Sequence, residues 1–249
     1  MRRSLTVLIV FAFLTAGCSS TSGPPVRVLF VGNSYTHFND LPAMVRDLGA
    51  SAGRKVEVEM RAPGGWWWRD HAGSSETLDA IGHGHFDYVI LQEQSMAPAV
   101  PRMAETESYP AANQLKSAAS LTGANVILFM TWGHQSGSAE IGLNTYSSMQ
   151  VALADAYALF GDALPAEVAP VGQAWWMARA ERPGIVLYQA DGSHPSVEGS
   201  YLAAVVITAS LLDIDANTLD NDLGVDEIIA GELRGFAARA VNGEVPWGP

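Results

Sequence analysis

The feature that most constrains the fold is a short apolar run that ends in a polar turn. Residues 26–31 are apolar except for Arg27, and the turn consists of Gly32, Asn33 and Ser34. A run that is apolar on both sides is typical of a parallel strand buried between two layers of helices. Ligands of open α/β sheets bind at the carboxyl ends of the strands, so the pattern predicts Ser34 at that edge. A serine there is a candidate nucleophile, although Gly-Asn is also ordinary turn chemistry.

Strand-like and helix-like segments alternate along the rest of the chain. Four further predicted strands lie at residues 55–60, 86–91, 125–130 and 167–171. The predicted helices lie at residues 41–52, 74–81, 111–121, 146–160 and 197–212, and residues 225–236 form a terminal helical segment. This alternation predicts an α/β fold with a five-stranded parallel sheet and helices on both faces.

The N-terminal segment has the pattern of an export signal. Arg2 and Arg3 precede an apolar run at residues 5–14, which is too short to span a membrane. Cys18 is the only cysteine of the chain and follows that run, and residues 19–25 form a tether of Ser, Thr, Gly and Pro. The pattern predicts that the protein is exported.

The residues around Cys18 resemble the lipobox of bacterial lipoproteins, in which the cysteine is acylated and becomes the first residue of the mature protein. Thr15 departs from that pattern, because leucine is most usual at this position. Ser19 favours, by the same resemblance, the outer membrane if the cell has one. The resemblance implies a protein anchored in the cell envelope by a lipid on Cys18. A secreted or periplasmic protein with an incidental cysteine is the alternative.

These segments divide the chain into three parts. We predict a lipoprotein signal peptide at residues 1–17, a tether at residues 18–25 and a single domain at residues 26–249 that includes a C-terminal helix. Loss of the signal peptide would change the formal net charge from −12 to −14. This charge argues against a nucleic-acid partner, whose affinity comes from Lys and Arg side chains that neutralise phosphates. A membrane is expected as a partner only through the lipid anchor.

A serine nucleophile needs a base, and the base needs an acid that orients it. Asp191 and His194 lie in one short loop ahead of the predicted helix at residues 197–212. Pro195 suits the first turn of that helix, and Asp191 with the glycine after it suits a tight turn. Two residues between acid and base let the carboxylate reach one ring nitrogen while the other faces Ser34. The same residues also fit an Asp-Gly turn with a capping histidine.

The oxyanion of a tetrahedral intermediate requires hydrogen-bond donors, and two loops at the same predicted edge can supply them. Gly64 and Gly65 follow the second strand, and Gln92 and Gln94 follow the third. A glycine N–H can approach a ligand closely, and a glutamine amide offers a neutral donor. The N–H of Ser34 is a further candidate. Together with the serine and the histidine, these loops predict one acyl-transfer site.

Three segments resemble sequence blocks of the SGNH (GDSL-type) hydrolases. They are Gly32-Asn33-Ser34-Tyr35 for the first block, Gly64-Gly65 for the second and Asp191-x-x-His194 for the fifth. Those enzymes have a flavodoxin-like, three-layer α/β/α fold with a parallel sheet, and they hydrolyse esters of lipids, carbohydrates and other small molecules without a cofactor. The resemblance spans nearly all of the predicted mature chain.

The resemblance implies a role for each matching residue. Ser34 would be the nucleophile, His194 the general base and acid, and Asp191 the acid that orients the imidazole. The N–H groups of Ser34 and Gly65 would be oxyanion donors, with Gly64 as an alternative to Gly65. The implied activity is that of a metal-independent serine esterase.

The third block departs from the family pattern. The family usually has Gly-x-Asn-Asp there, whereas this chain has Gln92-Glu93-Gln94-Ser95. Gln94 stands where the family has its asparagine, which implies that it is the third oxyanion donor; Gln92 is its rival. The sequence Leu91-Gln-Glu-Gln-Ser is similar to that of a bacterial subgroup of domains of unknown function placed among these hydrolases.

Tryptophans at the same edge point to the substrate. Trp66 begins a run of three tryptophans after the glycine pair, and Trp132 follows the fourth strand. Aromatic faces can stack on sugar rings, so we predict a carbohydrate ester as substrate, with Trp66, Trp132 and Gln92 as substrate-binding residues. At least one of the three consecutive tryptophans, as well as Trp175 and Trp176, is expected to be structural. A lipase or thioesterase and a non-catalytic glycan-binding lipoprotein are the alternatives.

No metal or cofactor is predicted. His83 and His85 flank a glycine, but no third ligand lies near them in the sequence.

Overall fold

The computed structural model describes residues 23–244. The predicted signal peptide, Cys18 and most of the predicted tether lie outside the described residues. The strands are β1 (Val26–Val31), β2 (Val56–Arg61), β3 (Tyr88–Leu91), β4 (Asn125–Phe129) and β5 (Glu167–Ala169). The α-helices within these residues are α1 (Ser34–His37), α2 (Leu41–Ser51), α3 (Trp68–Ala72), α4 (Ser75–His83), α5 (Pro101–Met103), α6 (Tyr109–Leu121), α7 (Tyr146–Ala163), α8 (Val171–Glu181), α9 (Val197–Leu212) and α10 (Glu227–Val241).

The five strands form one parallel sheet in the order β2-β1-β3-β4-β5. This is the strand order of flavodoxin-like folds, so the predicted three-layer architecture is confirmed. The order reverses direction at β1, which pairs with both β2 and β3. The carboxyl end of β1 is therefore a topological switch point, where such sheets bind their ligands.

Two hydrophobic cores cover the two faces of the sheet. Along β1, Val28 and Phe30 face one core and Leu29 and Val31 face the other, and all four are fully buried. The first core is completed by α2, α8, α9 and α10, and the second by α3, α4, α6 and α7. The apolar run at residues 26–31 is thus explained by burial on both sides, as a central parallel strand requires.

Four helices within residues 23–244 are absent from the sequence-based prediction, namely α1, α3, α5 and α8, and α8 is the longest of them. Residues 167–171 were predicted as a strand, but β5 ends at Ala169 and α8 begins at Val171. The buried hydrophobic residues of α8 are Val171, Ala174, Trp175, Met177 and Ala178. Because they lie on several sides of the helix, few exposed polar residues recur at helical spacing in the sequence. Within residues 23–244, the helices all lack either the length or the apolar character that a membrane span needs.

Candidate active site

The turn that carries Ser34 is fixed on both sides by its neighbour, Asn33. The Asn33 side chain caps the short helix α1 by accepting the N–H of Tyr35, at 3.1 Å, and donates to the carbonyl of Trp66, at 2.9 Å. The Asn33 N–H donates to the side-chain oxygen of Gln92 at 2.8 Å. Ser34 is therefore held at the start of α1, at the carboxyl edge of the sheet.

The structure brings Ser34, His194 and Asp191 together. The imidazole Nε2 of His194 lies 2.9 Å from Oγ of Ser34. The other ring nitrogen, Nδ1, lies 2.6 Å from Oδ2 of Asp191. With Nδ1 donating to the carboxylate, Nε2 is free to accept the serine proton. This arrangement can activate a hydroxyl for attack on a carbonyl carbon.

The Asp191 carboxylate is oriented by its own loop. Its second oxygen, Oδ1, accepts the N–H groups of Ser193 and His194 at 2.9 and 3.0 Å. Partial burial by itself would raise the pKa of Asp191, but the hydrogen bonds from the His194 ring and from these N–H groups outweigh it and lower the pKa. The carboxylate is thus held ionised, in the form that favours the required tautomer of His194.

Aromatic rings fix the plane of the His194 imidazole. Phe38 stacks on it, with ring centroids 4.4 Å apart, and Tyr35 meets it edge to face at 5.7 Å. Tyr35 also forms a hydrogen bond between its hydroxyl and Oγ of Ser193, at 2.7 Å. Both aromatic residues follow Ser34 within four positions, so the segment of the nucleophile also positions its base.

The structure corrects the prediction that Trp132 binds substrate. Trp132 is fully buried and stacks between Tyr35 and Trp175, with centroid distances of 4.6 and 4.0 Å and nearly parallel planes. Its indole Nε1 donates to the carbonyl of Ser193 at 3.0 Å. Trp132 therefore supports the loop of Asp191 from the interior of the protein. Trp175 is also fully buried, as predicted for a structural residue.

Replacing Trp132 by phenylalanine is expected to loosen that support. The stacked ring is kept in reduced size, but the Ser193 carbonyl loses its donor, which costs about 1–3 kcal/mol for a buried group. Trp175→Phe is the matched control, because the Trp175 Nε1 has no partner within residues 23–244. Urea unfolding should show a larger loss of stability for Trp132→Phe, with a lower kcat. Equal effects of the two variants would contradict this role.

Gln92 is also corrected, both as a substrate-binding residue and as an oxyanion donor. It is 1% exposed, and both ends of its amide are used inside the protein. Its oxygen accepts the N–H of Asn33 at 2.8 Å and the hydroxyl of Thr36 at 2.9 Å, and its Nε2 donates to the carbonyl of Glu93. Gln92 thus joins the end of β3 to the nucleophile turn.

The other predicted oxyanion donors are differently placed. The Gln94 oxygen accepts the N–H groups of Met96 and Ala97 at 2.7 and 3.0 Å, which orients the amide, and within residues 23–244 no acceptor is bonded to its Nε2. The N–H groups of Ser34 and Gly65 likewise donate to no acceptor in the described part of the chain. Gly65 lies in an exposed turn with φ +75, a left-handed conformation that suits glycine. Their roles as donors stay predictions.

Comparison with known proteins identifies the family. No protein-family model and no curated protein matches the chain. A solved structure from Slackia heliotrinireducens, assigned to the SGNH hydrolases, is 30% identical; the match covers 76% of this chain and 100% of the other, with a TM-score of 0.65. The chain belongs to the SGNH hydrolases. The resemblance of its three sequence blocks is thereby confirmed.

Two further solved structures share the fold of this SGNH hydrolase. A DUF4886 family protein from Bacteroides uniformis is 17% identical, with a TM-score of 0.76 over 88% of this chain and 96% of the other. An acetyl xylan esterase is 12% identical, with a TM-score of 0.58 over 75% of this chain and 100% of the other.

In this SGNH hydrolase, the three consecutive tryptophans have different environments. Trp66 is half-buried, and its ring meets His71 edge to face at 4.9 Å. Trp67 is half-buried and covered by the guanidinium of Arg69, 4.1 Å from its ring centroid. Trp68 is fully buried, so the prediction that at least one of the three is structural is confirmed. Trp66 remains the candidate for substrate contact.

His71 belongs to the support of the nucleophile, which no sequence pattern revealed. It is fully buried, and burial lowers its pKa despite its hydrogen bond to the carbonyl of Gly32. The neutral ring donates from Nε2 to that carbonyl at 2.8 Å and accepts the hydroxyl of Thr77 at Nδ1, at 3.0 Å. His71 thus holds the end of β1 immediately before the nucleophile turn.

Glu93 is the second residue that sequence reasoning missed. Its carboxyl group is fully buried, and this burial raises its pKa to about 7 against the effect of its hydrogen bonds. One oxygen, Oε1, accepts the N–H of Trp68 at 2.8 Å and of Gln94 at 2.7 Å. A glutamate inside a run of glutamines is the only signal in the sequence, and it indicates no direction for the side chain.

Proposed function

We propose that this SGNH hydrolase is a serine esterase that works through an acyl-enzyme. The observation that carries the proposal is the continuous line of hydrogen bonds from Asp191 through His194 to Ser34, at 2.6 and 2.9 Å. The line ends at the half-buried hydroxyl of Ser34, beside the exposed turn of Gly65, where a substrate carbonyl can approach.

The reaction follows from the direction of these bonds. Oγ of Ser34 attacks the ester carbonyl carbon while Nε2 of His194 takes the hydroxyl proton. Collapse of the tetrahedral intermediate breaks the bond between the carbonyl carbon and the alkoxy oxygen, and His194 returns the proton to the leaving alcohol. A water molecule then attacks the acyl carbon while His194 takes a proton from it, the bond between that carbon and Oγ of Ser34 breaks, and His194 returns the proton to Oγ as the acid leaves. Asp191 stabilises the imidazolium in both steps.

The negative charge of the intermediate needs donors that are already in place. The N–H groups of Ser34 and Gly65 and the Nε2 of Gln94 are the proposed set, since all three lack an acceptor within residues 23–244. Trp66, directly after Gly65, is bonded through its carbonyl to Asn33 beside the nucleophile. This contact supports a position of the Gly65 turn next to the reacting carbonyl.

An O-acetylated carbohydrate is the proposed substrate. The carbonyl of Trp66 accepts a hydrogen bond from the Asn33 side chain beside Ser34, and Trp66 also lines an open groove of about 690 Å³. The groove is lined by polar side chains, which can bond sugar hydroxyls: Arg69, Asp70, Ser74, Ser75 and Glu76. The acetyl xylan esterase with a similar fold also supports an acetyl ester of a polysaccharide.

A lipid anchor at Cys18 would suit such a substrate. The chain enters the domain at Val26, the first residue of β1, whereas Ser34 follows the opposite end of that strand. A tether of residues 19–25 reaches at most about 25 Å. We propose that the protein is exported and anchored in the cell envelope by a lipid on Cys18. Because the tether joins the sheet at the edge away from the site, the site would face a polymer outside the membrane surface.

The test is a substrate panel for the mature protein. Acetate release from acetylated xylo-oligosaccharides is compared with hydrolysis of a long-chain acyl ester and of an acyl thioester. We expect kcat/KM for the acetylated sugar to exceed the other two by at least about tenfold. Preference for the long chain or the thioester would replace the proposed substrate. Sugar binding without hydrolysis, and without labelling by a serine-directed phosphonate, would replace the enzyme by a glycan-binding protein.

A further inference from the structure

Glu93 is a buried carboxyl group that connects two separate loops. Its Oε1 accepts the N–H of Trp68 from the loop after β2 and the N–H of Gln94 from the loop after β3, at 2.8 and 2.7 Å. Within residues 23–244, the groups that interact with this carboxyl are uncharged apart from Arg69, and the carboxyl is fully buried. Burying a carboxyl group is costly unless its interactions compensate, so these two contacts matter energetically.

The two loops are those that carry the proposed oxyanion donors. Trp68 follows Gly65 by three residues, and Gln94 is itself a proposed donor. The first loop is also attached to the nucleophile turn, through the hydrogen bond from Asn33 to the carbonyl of Trp66 at 2.9 Å. A shift of either loop would therefore change the distance between the donors and the carbonyl that Ser34 attacks.

We propose that Glu93 is a positioning residue of the oxyanion hole: its Oε1 holds the Gly65 loop and Gln94 in fixed places relative to Ser34. The inference rests on the proposed esterase function and explains the unusual third block. Gln92 binds the nucleophile turn, Glu93 binds the Gly65 loop, and the side-chain oxygen of Gln94 accepts the N–H group of Met96 in its own loop. Three consecutive side chains thus join three loops.

The second oxygen of Glu93 decides which replacement is conservative. Oε2 has no hydrogen-bond partner within residues 23–244, and the nearby groups are the hydroxyls of Ser108 and Tyr157 and the more distant charge of Arg69. A proton on Oε2 leaves Oε1 free to accept both N–H groups. Glutamine can reproduce this neutral state, whereas leucine has a similar size and no acceptor.

The first test measures the two N–H groups directly and requires no activity. Amide hydrogen exchange at Trp68 and Gln94 is compared in wild type, Glu93→Gln and Glu93→Leu. We expect at least about tenfold faster exchange at both amides in Glu93→Leu and wild-type rates in Glu93→Gln. Thr208→Val is the control, since it removes a different fully buried polar group, the hydroxyl of Thr208 in α9. Unchanged exchange at both amides in Glu93→Leu would overturn the proposal.

The second test separates positioning from general stability. With a short-chain acyl ester, Glu93→Leu should lower kcat at least about tenfold at a nearly unchanged KM, because donors to the oxyanion act in the transition state. Glu93→Gln should restore kcat to within about threefold. Wild-type kcat in Glu93→Leu would overturn the role in the oxyanion hole. An inactive wild type would instead refute the proposed function, and the exchange data would still decide whether Glu93 connects the loops.

A pH series gives an independent readout. Burial raises the pKa of the Glu93 carboxyl from 4.5 to about 7. The folded protein is therefore more stable at low pH, where the carboxyl is neutral, and it loses this stability as the pH rises through that interval. The charged group nearest to the carboxyl is the guanidinium of Arg69, and the hydroxyl of Tyr157 does not titrate between pH 5 and pH 8 because burial raises its pKa. Relative to Glu93→Gln, the wild-type unfolding constant should increase on the order of 10²-fold across that range. No difference between the two proteins would contradict a buried carboxyl at this position.

Discussion

Replacement of Ser34 by alanine should abolish ester hydrolysis, with kcat lowered by at least about 10³-fold. The hydroxyl is the only group on the Ser34 side chain that can attack the carbonyl, and its partner His194 lies 2.9 Å away. The remaining rate would come from substrate binding and from oxyanion donors that the variant retains. Acyl-ester hydrolysis measured over several decades of enzyme concentration checks this prediction.

The control is a serine outside the hydrogen-bonded line. Ser136→Ala changes an exposed serine in the loop after β4 and should leave kcat unchanged. A serine-directed phosphonate should label wild type and Ser136→Ala on Ser34 and should not label Ser34→Ala. Equal activity of wild type and Ser34→Ala would show that another residue carries the reaction.

Asp191→Asn should lower kcat by about 10²–10⁴-fold while the loop stays folded. The asparagine oxygen can still accept the N–H groups of Ser193 and His194, but its NH₂ group would face Nδ1 of His194. Nδ1 must then act as an acceptor, which moves the ring proton to Nε2. In that tautomer His194 cannot accept the proton of Ser34.

Two measurements distinguish this effect from unfolding. The thermal midpoint of Asp191→Asn should lie within a few degrees of wild type, because the two backbone bonds of the loop are kept. Asp191→Ala removes those bonds as well and should be the less stable variant. Near-wild-type kcat in Asp191→Asn would mean that the carboxylate does not set the tautomer of His194.

Local sequence signals were sufficient to predict the bounds of an element where both of its ends carry clear signals. The helix predicted at residues 197–212 has those bounds in α9. The side chain of Ser196 caps its first turn by accepting the N–H of Gly199 at 3.0 Å, and Asp213 ends it in a left-handed conformation, with φ 51. Pro195 therefore precedes the cap and does not lie in the first turn. Helix α8 was not predicted, because burial on several sides removes the amphipathic pattern.

Side-chain direction at the strand ends could not be predicted. Gln92 and Gln94 are chemically identical and differ only in which loop each reaches, and Trp132 could turn outward or inward after β4. The rings of Tyr35 and Trp175, from α1 and α8, provide the stacking faces that draw Trp132 into the core. Alternation along a strand does not extend beyond its last ladder bond, so no local period decides these cases.

The sequence by itself determined which chemical groups are available and at which edge of the sheet they lie. It identified the buried strand, the serine after it and the Asp-His loop, because apolar periodicity and turn chemistry are local properties. Only the tertiary structure decided which groups touch. Ser34 and His194 are 160 positions apart, and a hydrogen bond of 2.9 Å between them depends on how α1 and α8 pack around Trp132. Tertiary contacts also placed Gln92 and Glu93 in the interior, because burial and contact distance are properties of the whole fold.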